Sequence, residues 1–178
     1  MLKKVWNHFK LINKHRWIVL KFCIKAGIPW NGLIHDLSKY SFTEFLESAK
    51  FYVGNKSPIQ VSRDTREYSK AWLHHKGKNK HHEEYWYDWN APVKAPVIPY
   101  KYAVEMICDM LSAGKVYCGE KWTNEQPLWY WNEKKKKELF HPKLQKFFND
   151  VFTQISEEGI DNTLNKKNLK EKYNNYCK

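Results

Sequence analysis

At Leu33-Ile34-His35-Asp36-Leu37-Ser38-Lys39 a histidine and an aspartate stand side by side, entered through apolar residues and left through a serine and a lysine. Imidazole nitrogen and carboxylate oxygen both ligate zinc, iron or manganese. The apolar approach places the pair near a core, where an uncompensated carboxylate is costly and a cation would offset it. Two residues do not complete a coordination shell, so further donors must arrive from other elements.

The densest supply is Trp72-Leu73-His74-His75-Lys76-Gly77-Lys78-Asn79-Lys80-His81-His82-Glu83, with four of the chain's eight histidines inside nine positions. Its internal position excludes an expression tag, and no cysteine pair accompanies it as in a zinc finger. The break at Gly77 to Asn79 lets two helix ends fold toward one point. A second metal position built from His74, His75, His81 and His82 is therefore predicted, with the competing expectation that one histidine of each pair points outward and only two, such as His75 and His82, reach the ion.

Periodicity supplies the elements that must carry these groups. Residues 2 to 26 have Val5, His8, Ile12, His15, Val19 and Phe22 at threes and fours, a helix ended by Gly27 and Pro29, with His15 on its apolar stripe. A lone inward histidine is more often a satisfied core residue than a ligand, but this one precedes the His-Asp pair by one helix and one turn. A second helix is expected from Pro29 or Trp30 to Tyr40; on it Lys39 would share a face with His35, either solvated or placed to meet a bound anion. Ser41 and Glu44 form a capping box for a third helix with Phe42, Phe45, Leu46 and Ala49 inward.

Residues 64 to 75 read as a further helix, residues 91 to 99 with their three prolines as an extended connection, and a helix from Pro99 to Gly114 carries Asp109 among apolar neighbours. Asp109 there needs a partner, either a metal or a cap or salt bridge. Trp122 to Trp131 reads as aromatic and irregular and Lys134 to Lys137 as a charge run, while His141-Pro142 opens a helix ended by Gly159. The expected architecture is all-α: one helical domain over 1–160 and a polar tail over 161–178, a peripheral helix or partly disordered.

The 178 residues suffice for one core, and 42% hydrophobic against 28% charged residues is globular composition. No apolar run reaches the roughly 20 residues of a membrane span, so no membrane partner is expected, and a cytoplasmic protein is the default. The four cysteines show no CxxC pairing and read as reduced thiols. The net charge of +12 would suit nucleic acid, but the chain has only three arginines (Arg16, Arg63, Arg66). Because duplex readers lean on arginine forks, a solvated lysine surface is the favoured reading.

In order, the donors read His15, His35-Asp36, the histidine cluster, then Asp109. This order resembles the HD-domain superfamily, all-helical metal-dependent phosphohydrolases marked by His, a later His-Asp pair and a final Asp. The resemblance covers roughly residues 10 to 118. His15-Arg16-Trp17-Ile18-Val19 looks like the helix of the first histidine, Leu33 to Lys39 resembles the family's Leu-His-Asp-Ile-Gly-Lys core with serine for glycine, and Ile107-Cys108-Asp109-Met110-Leu111 resembles the segment of the last aspartate. His81-His82-Glu83 is similar to the His-His-Glu of the HD-GYP branch, but Glu84-Tyr85-Trp86 follows instead of Gly-Tyr-Pro, so cyclic-dinucleotide cleavage is not implied. The whole also looks like small HD-like proteins without an assigned activity.

The resemblance implies an HD-like helical bundle in which His15, His35, Asp36 and Asp109 hold a first divalent transition metal (iron, manganese or zinc). Asp36 would bridge to a second ion on the histidine cluster. Hydrolysis of a nucleotide or other small phosphorylated compound follows, with Asp36 and Lys39 as the catalytic pair and Asn79 and Glu105 orienting ligands. Two other functions share the scaffold: a di-iron oxygenase, and a non-catalytic nucleotide or RNA binder.

Overall fold

The computed structural model describes residues 2–133 and 137–178, so Lys134 to Lys136 of the expected charge run lie outside the described residues. Those residues form helices and loops with no strand, as expected of an all-α chain. The first half contains α1 (Leu2–Lys25), α2 (Pro29–Ile34), a 3-10 turn (Leu37–Tyr40), α3 (Phe42–Lys50), α4 (Pro58–Arg66), α5 (Lys70–Lys78) and α6 (Glu83–Trp86). After an irregular stretch come α7 (Tyr100–Cys118), α8 (Gln126–Glu133), α9 (Pro142–Glu158), α10 (Ile160–Thr163) and α11 (Lys166–Cys177).

Helix α7 is the shared axis. It buries Ala103, Val104, Met106, Ile107, Cys108 and Leu111, but also Glu105 and Ser112, an all-round burial expected of a helix covered on both sides. Helices α1 and α2 pack on one side, and α8 and α11 also reach α7 while packing on α9. Helix α9 follows from its sequence: Pro142 opens it, His141 Nδ1 accepts from the Lys143 amide at 3.1 Å, and Leu144, Phe147, Phe148, Val151, Phe152 and Ile155 recur on one face. That face joins Trp131 and Phe140 in the aromatic core, away from the histidines.

Several expected elements differ. The helix expected over 29–40 breaks at His35 and Asp36, where Asp36 takes φ 56°. The helix expected over 64–75 is two, α4 and α5, parted by Glu67 at φ 65°. Glu47 holds that corner, its Oε1 accepting from Ser62 Oγ, Ser69 Oγ and the Ala71 amide. On α3, Phe42 and Leu46 are exposed, and Glu44, Ser48 and Ala49 face inward, because this helix closes over the polar site rather than the apolar core. Helix α7 continues past Gly114 to Cys118.

The polar tail is no appendage. Leu169 and Tyr173 of α11 are buried in the main core, and the Tyr173 hydroxyl donates to the Ile98 carbonyl at 2.7 Å. Leu169→Ala is accordingly expected to lower unfolding free energy by about 2–5 kcal/mol, by lost transfer energy and the cavity left behind. Urea denaturation checks it; a loss under about 1 kcal/mol would mean that α11 is dispensable.

Candidate metal centre

Gly32 is where the site begins. A Cβ at that position would lie 2.6 Å from Cys23 Cβ and 3.0 Å from Leu20 Cα, so only glycine lets α2 approach α1 this closely. The close crossing brings the end of α2 beside His15. Consecutive helical residues point about 100° apart and cannot both face one centre. The break after Ile34 removes that restriction, and His35 and Asp36 both turn inward, each 1% exposed. Aspartate tolerates the left-handed backbone better than most residues. Arg16 secures the corner, with Nε donating to the His35 carbonyl at 2.8 Å and Nη2 to the Leu33 carbonyl at 2.9 Å, groups that the end of α2 leaves unpaired.

Helix α7 contributes Asp109, and the four expected residues converge. His15 Nε2 lies 3.0 Å from Asp109 Oδ1, 3.4 Å from His35 Nε2 and 3.6 Å from Asp36 Oδ2. His35 Nε2 lies 3.2 Å from Asp36 Oδ2 and 3.5 Å from Asp109 Oδ1. Ligands about 2.1 Å from one ion stand about 3.0–3.4 Å apart in octahedral or tetrahedral arrangements, so these separations fit a single transition metal.

On the other side of Asp36, Oδ1 lies 3.3 Å from His75 Nε2 and 3.4 Å from His81 Nε2. With His82 these form a second group whose donor atoms all lie within 4.8 Å of one another. Asp36 Oδ1, His81 Nε2 and His82 Nε2 are buried without a hydrogen bond of good geometry. Buried donors and acceptors in folded proteins usually find partners, and a cation at this point would satisfy all three.

The far ring nitrogens show the same design. Glu105 Oε1 accepts from His35 Nδ1 at 2.9 Å and His81 Nδ1 at 3.1 Å, and Asn31 Nδ2 donates to Glu105 Oε2 at 2.9 Å. Glu44 Oε2 pairs with His75 Nδ1 at 2.7 Å. A carboxylate accepting from Nδ1–H leaves Nε2 with its lone pair toward the centre, the orientation metal-bound histidines take. Asn79 Nδ2 donates to Ser38 Oγ at 2.8 Å and to the His75 carbonyl at 2.8 Å, so it ties the end of α5 to the 3-10 turn.

His74 is not brought to this centre. Its Nδ1 meets Glu44 Oε1 at 2.7 Å and its side chain is 30% exposed, because neighbours on α5 face different ways. One histidine of that pair points outward, as the competing expectation held, but His81 and His82 both enter because they precede α6 on a non-helical segment. Nor does Lys39 share a helix face with His35. It lies on the 3-10 turn, 2.5 Å from Asp36 Oδ2 and 26% exposed at the rim. Glu44, Arg16 and Asn31 escaped sequence reasoning. Glu44 does meet Ser41 as a helix cap, its amide donating to Ser41 Oγ at 3.4 Å, and that role masks the histidine-binding one.

Electrostatics favour positive charge at the centre. Burial alone would raise Asp36, but the His35 and Lys39 charges hold its carboxyl well below the ordinary range. Asp109 is likewise held well below by His15 and His35 against its burial. Glu105 is drawn down to about 2 by its two histidines, again against burial. His35 is raised well above its usual value because Asp36, Asp109 and Glu105 outweigh burial. Burial pushes His15 and His82 down, toward the neutral imidazole that ligates metal. A cleft of about 920 Å³ opens beside His15, Lys39, His75, His82 and Asp109, with Arg63, Trp72, Tyr117, Trp122, Trp129 and Tyr130 on its walls.

His8, deeper on the same wall, contacts Phe45 and Tyr52 by ring centroids 5.4 and 6.0 Å apart. Burial, then the Lys39 charge, lower its pKa to about 4. As pH falls from 6.5 toward 4 the unfolded chain takes up this proton and the folded chain does not, so stability falls with acidification. Relative to wild type, His8→Phe is expected to gain about 1–2 kcal/mol on going from pH 7 to pH 5. Urea titrations at both pH values measure it; a difference independent of pH would rule His8 out as the source.

Residues 4–154 match the model of a family described as a family of unknown function (DUF5662). No curated protein and no solved structure matches the chain.

Proposed function

The chain belongs to the DUF5662 family, and we propose that it is a metal-dependent phosphohydrolase acting on a nucleotide or other small phosphorylated compound. The observation that carries this reading is the placement of Asp36, whose two oxygens each face a separate set of imidazole nitrogens. His15, His35, Asp36 and Asp109 would hold one ion, and His75, His81 and His82 with Asp36 another, of iron, manganese or zinc. Such ions, when bound, lower the pKa of water and draw charge off phosphoryl oxygens.

The chain's own groups supply the rest. Lys39 stays protonated because Asp36 and Asp109 outweigh its burial, and from the rim its ammonium can pair with a phosphoryl oxygen. Arg63 stacks 4.7 Å over Trp72 in the cleft, a second cation for an anionic substrate. Trp122, Trp129 and Tyr130 offer flat surfaces suited to a nucleobase. The HD-type order of donors along the sequence is consistent with the same chemistry.

Metal analysis of untagged protein, with phosphate release from a panel of nucleotides, tests the reading. Wild type is expected to bind up to two ions and His75→Ala/His82→Ala one. Lys39→Ala should keep its metal and lose about a hundredfold in turnover, the order seen when one charge-stabilising group is removed. Oxygen consumption by the iron-loaded protein without phosphate release would assign oxygenase chemistry instead, and nucleotide binding without turnover a sensor. A full metal complement and activity in the double variant would make the cluster structural.

A further inference from the structure

The outward side of α1 is not a plain solvated face. Leu2, Trp6, Phe9, Asn13, Trp17 and Ile24 share one side of the helix, away from His8, Ile12 and His15, while Leu20 of the same stripe packs under α2 at Gly32. Trp6 is 56% exposed, Trp17 58% and Ile24 56%. Trp30 and Leu33 of α2, 68% and 51% exposed, extend the surface, and a stacked Trp6–Phe9 pair runs into Tyr40 at 6.2 Å from Phe9. Soluble chains seldom leave contiguous aromatic surface of this extent uncovered.

Beside that stripe lies a second one, Lys3, Lys10, Lys14 and Lys21, spaced by sevens and fours and all exposed. Lys10 lies 5.3 Å over the Trp6 ring and Lys21 5.2 Å over the Trp17 ring. The first 35 residues contain no aspartate or glutamate. A two-fold pairing of this face with a second copy would set basic stripe near basic stripe with no acid on either helix to receive it. An anionic surface is the complementary partner.

We propose that the outer face of α1 with α2 docks on an anionic lipid bilayer, with Trp6, Trp17, Trp30 and Leu33 entering the headgroup region and the lysines paired with lipid phosphates and carboxylates. Tryptophan is enriched at that depth, and lysines extend their charges outward from it. Helix α1 lies on the surface rather than across it. At about 36 Å it is long enough to span, but no helix among the described residues is apolar enough to cross a membrane. Docking leaves the opposite side of α1, with His8 and His15, on the cleft. This revises the expectation of no membrane partner, which rested on spanning alone.

Co-sedimentation of the full chain with vesicles tests the proposal independently of any hydrolysis. Wild type should bind phosphatidylcholine vesicles containing about one-third phosphatidylserine, with a blue shift of tryptophan emission, and bind pure phosphatidylcholine at least about tenfold more weakly. Lys10→Glu/Lys14→Glu/Lys21→Glu should lose at least about a hundredfold in binding, near the sum for three interfacial lysines. Trp17→Ser/Trp30→Ser should lose most of the blue shift, Trp6 supplying the remainder. Circular dichroism checks that these exposed substitutions leave the fold intact. Absence of binding to the anionic vesicles, or its retention by both variants, overturns the proposal. A wild-type dimer in solution that Trp17→Ser/Trp30→Ser dissolves, without vesicle binding, assigns the face to a second copy.

Discussion

Asp36→Asn is expected to bind no transition metal at either position and to lose at least about a thousandfold in phosphate release, about 4 kcal/mol of transition-state stabilisation. Asparagine is the informative replacement. It keeps the side-chain shape and tolerates the φ of 56° at this position, whereas alanine would add backbone strain. What it removes is the charge that both sets of imidazoles face, His15 and His35 at Oδ2 and His75 and His81 at Oδ1. Lys39 loses its nearest counter-charge as well, so the metal-free variant should also be less stable. Metal analysis and a denaturation curve read both effects. An asparagine variant with two ions and full turnover would remove Asp36 from the centre of the mechanism.

Glu105→Gln is expected to weaken metal binding by about tenfold to a hundredfold for each histidine it orients. The carboxylate accepts from His35 and His81 through one oxygen and from Asn31 through the other. An amide has one accepting oxygen, so its NH2 must confront either the ring N–H groups or the Asn31 amide. The readout that separates orientation from general damage is metal titration against a chelator. Apparent metal affinity should fall while turnover at saturating metal recovers most of the wild-type value. Unchanged affinity with a lowered unfolding free energy would make Glu105 a packing residue only.

Much of this was legible in the chain. Residue types announce donor chemistry directly, and spacing at threes and fours placed His15 and Asp109 on inward helix faces, because a helix repeats every 3.6 residues wherever it sits. The same regularity located α1 and α9 with their glycine stops. It failed where a conformation is set by contacts distant in sequence. The helix expected through His35 and Asp36 has no local breaker; it ends because Arg16, nineteen residues earlier than His35, donates to its carbonyls and because the corner packs on α1.

Sequence by itself therefore determined the all-α class, the kinds of ligand available and the order in which they arrive, all of which are local properties of the chain. Tertiary structure alone decided that His74 turns away while His81 and His82 enter, that Glu44 and Glu105 hold the inward-facing histidine rings, that α11 completes the core, and that an aromatic stripe of α1 is left uncovered. The physical reason is one of reference. Periodicity says which side chains share a face, but only the packing of one helix on another says what that face meets.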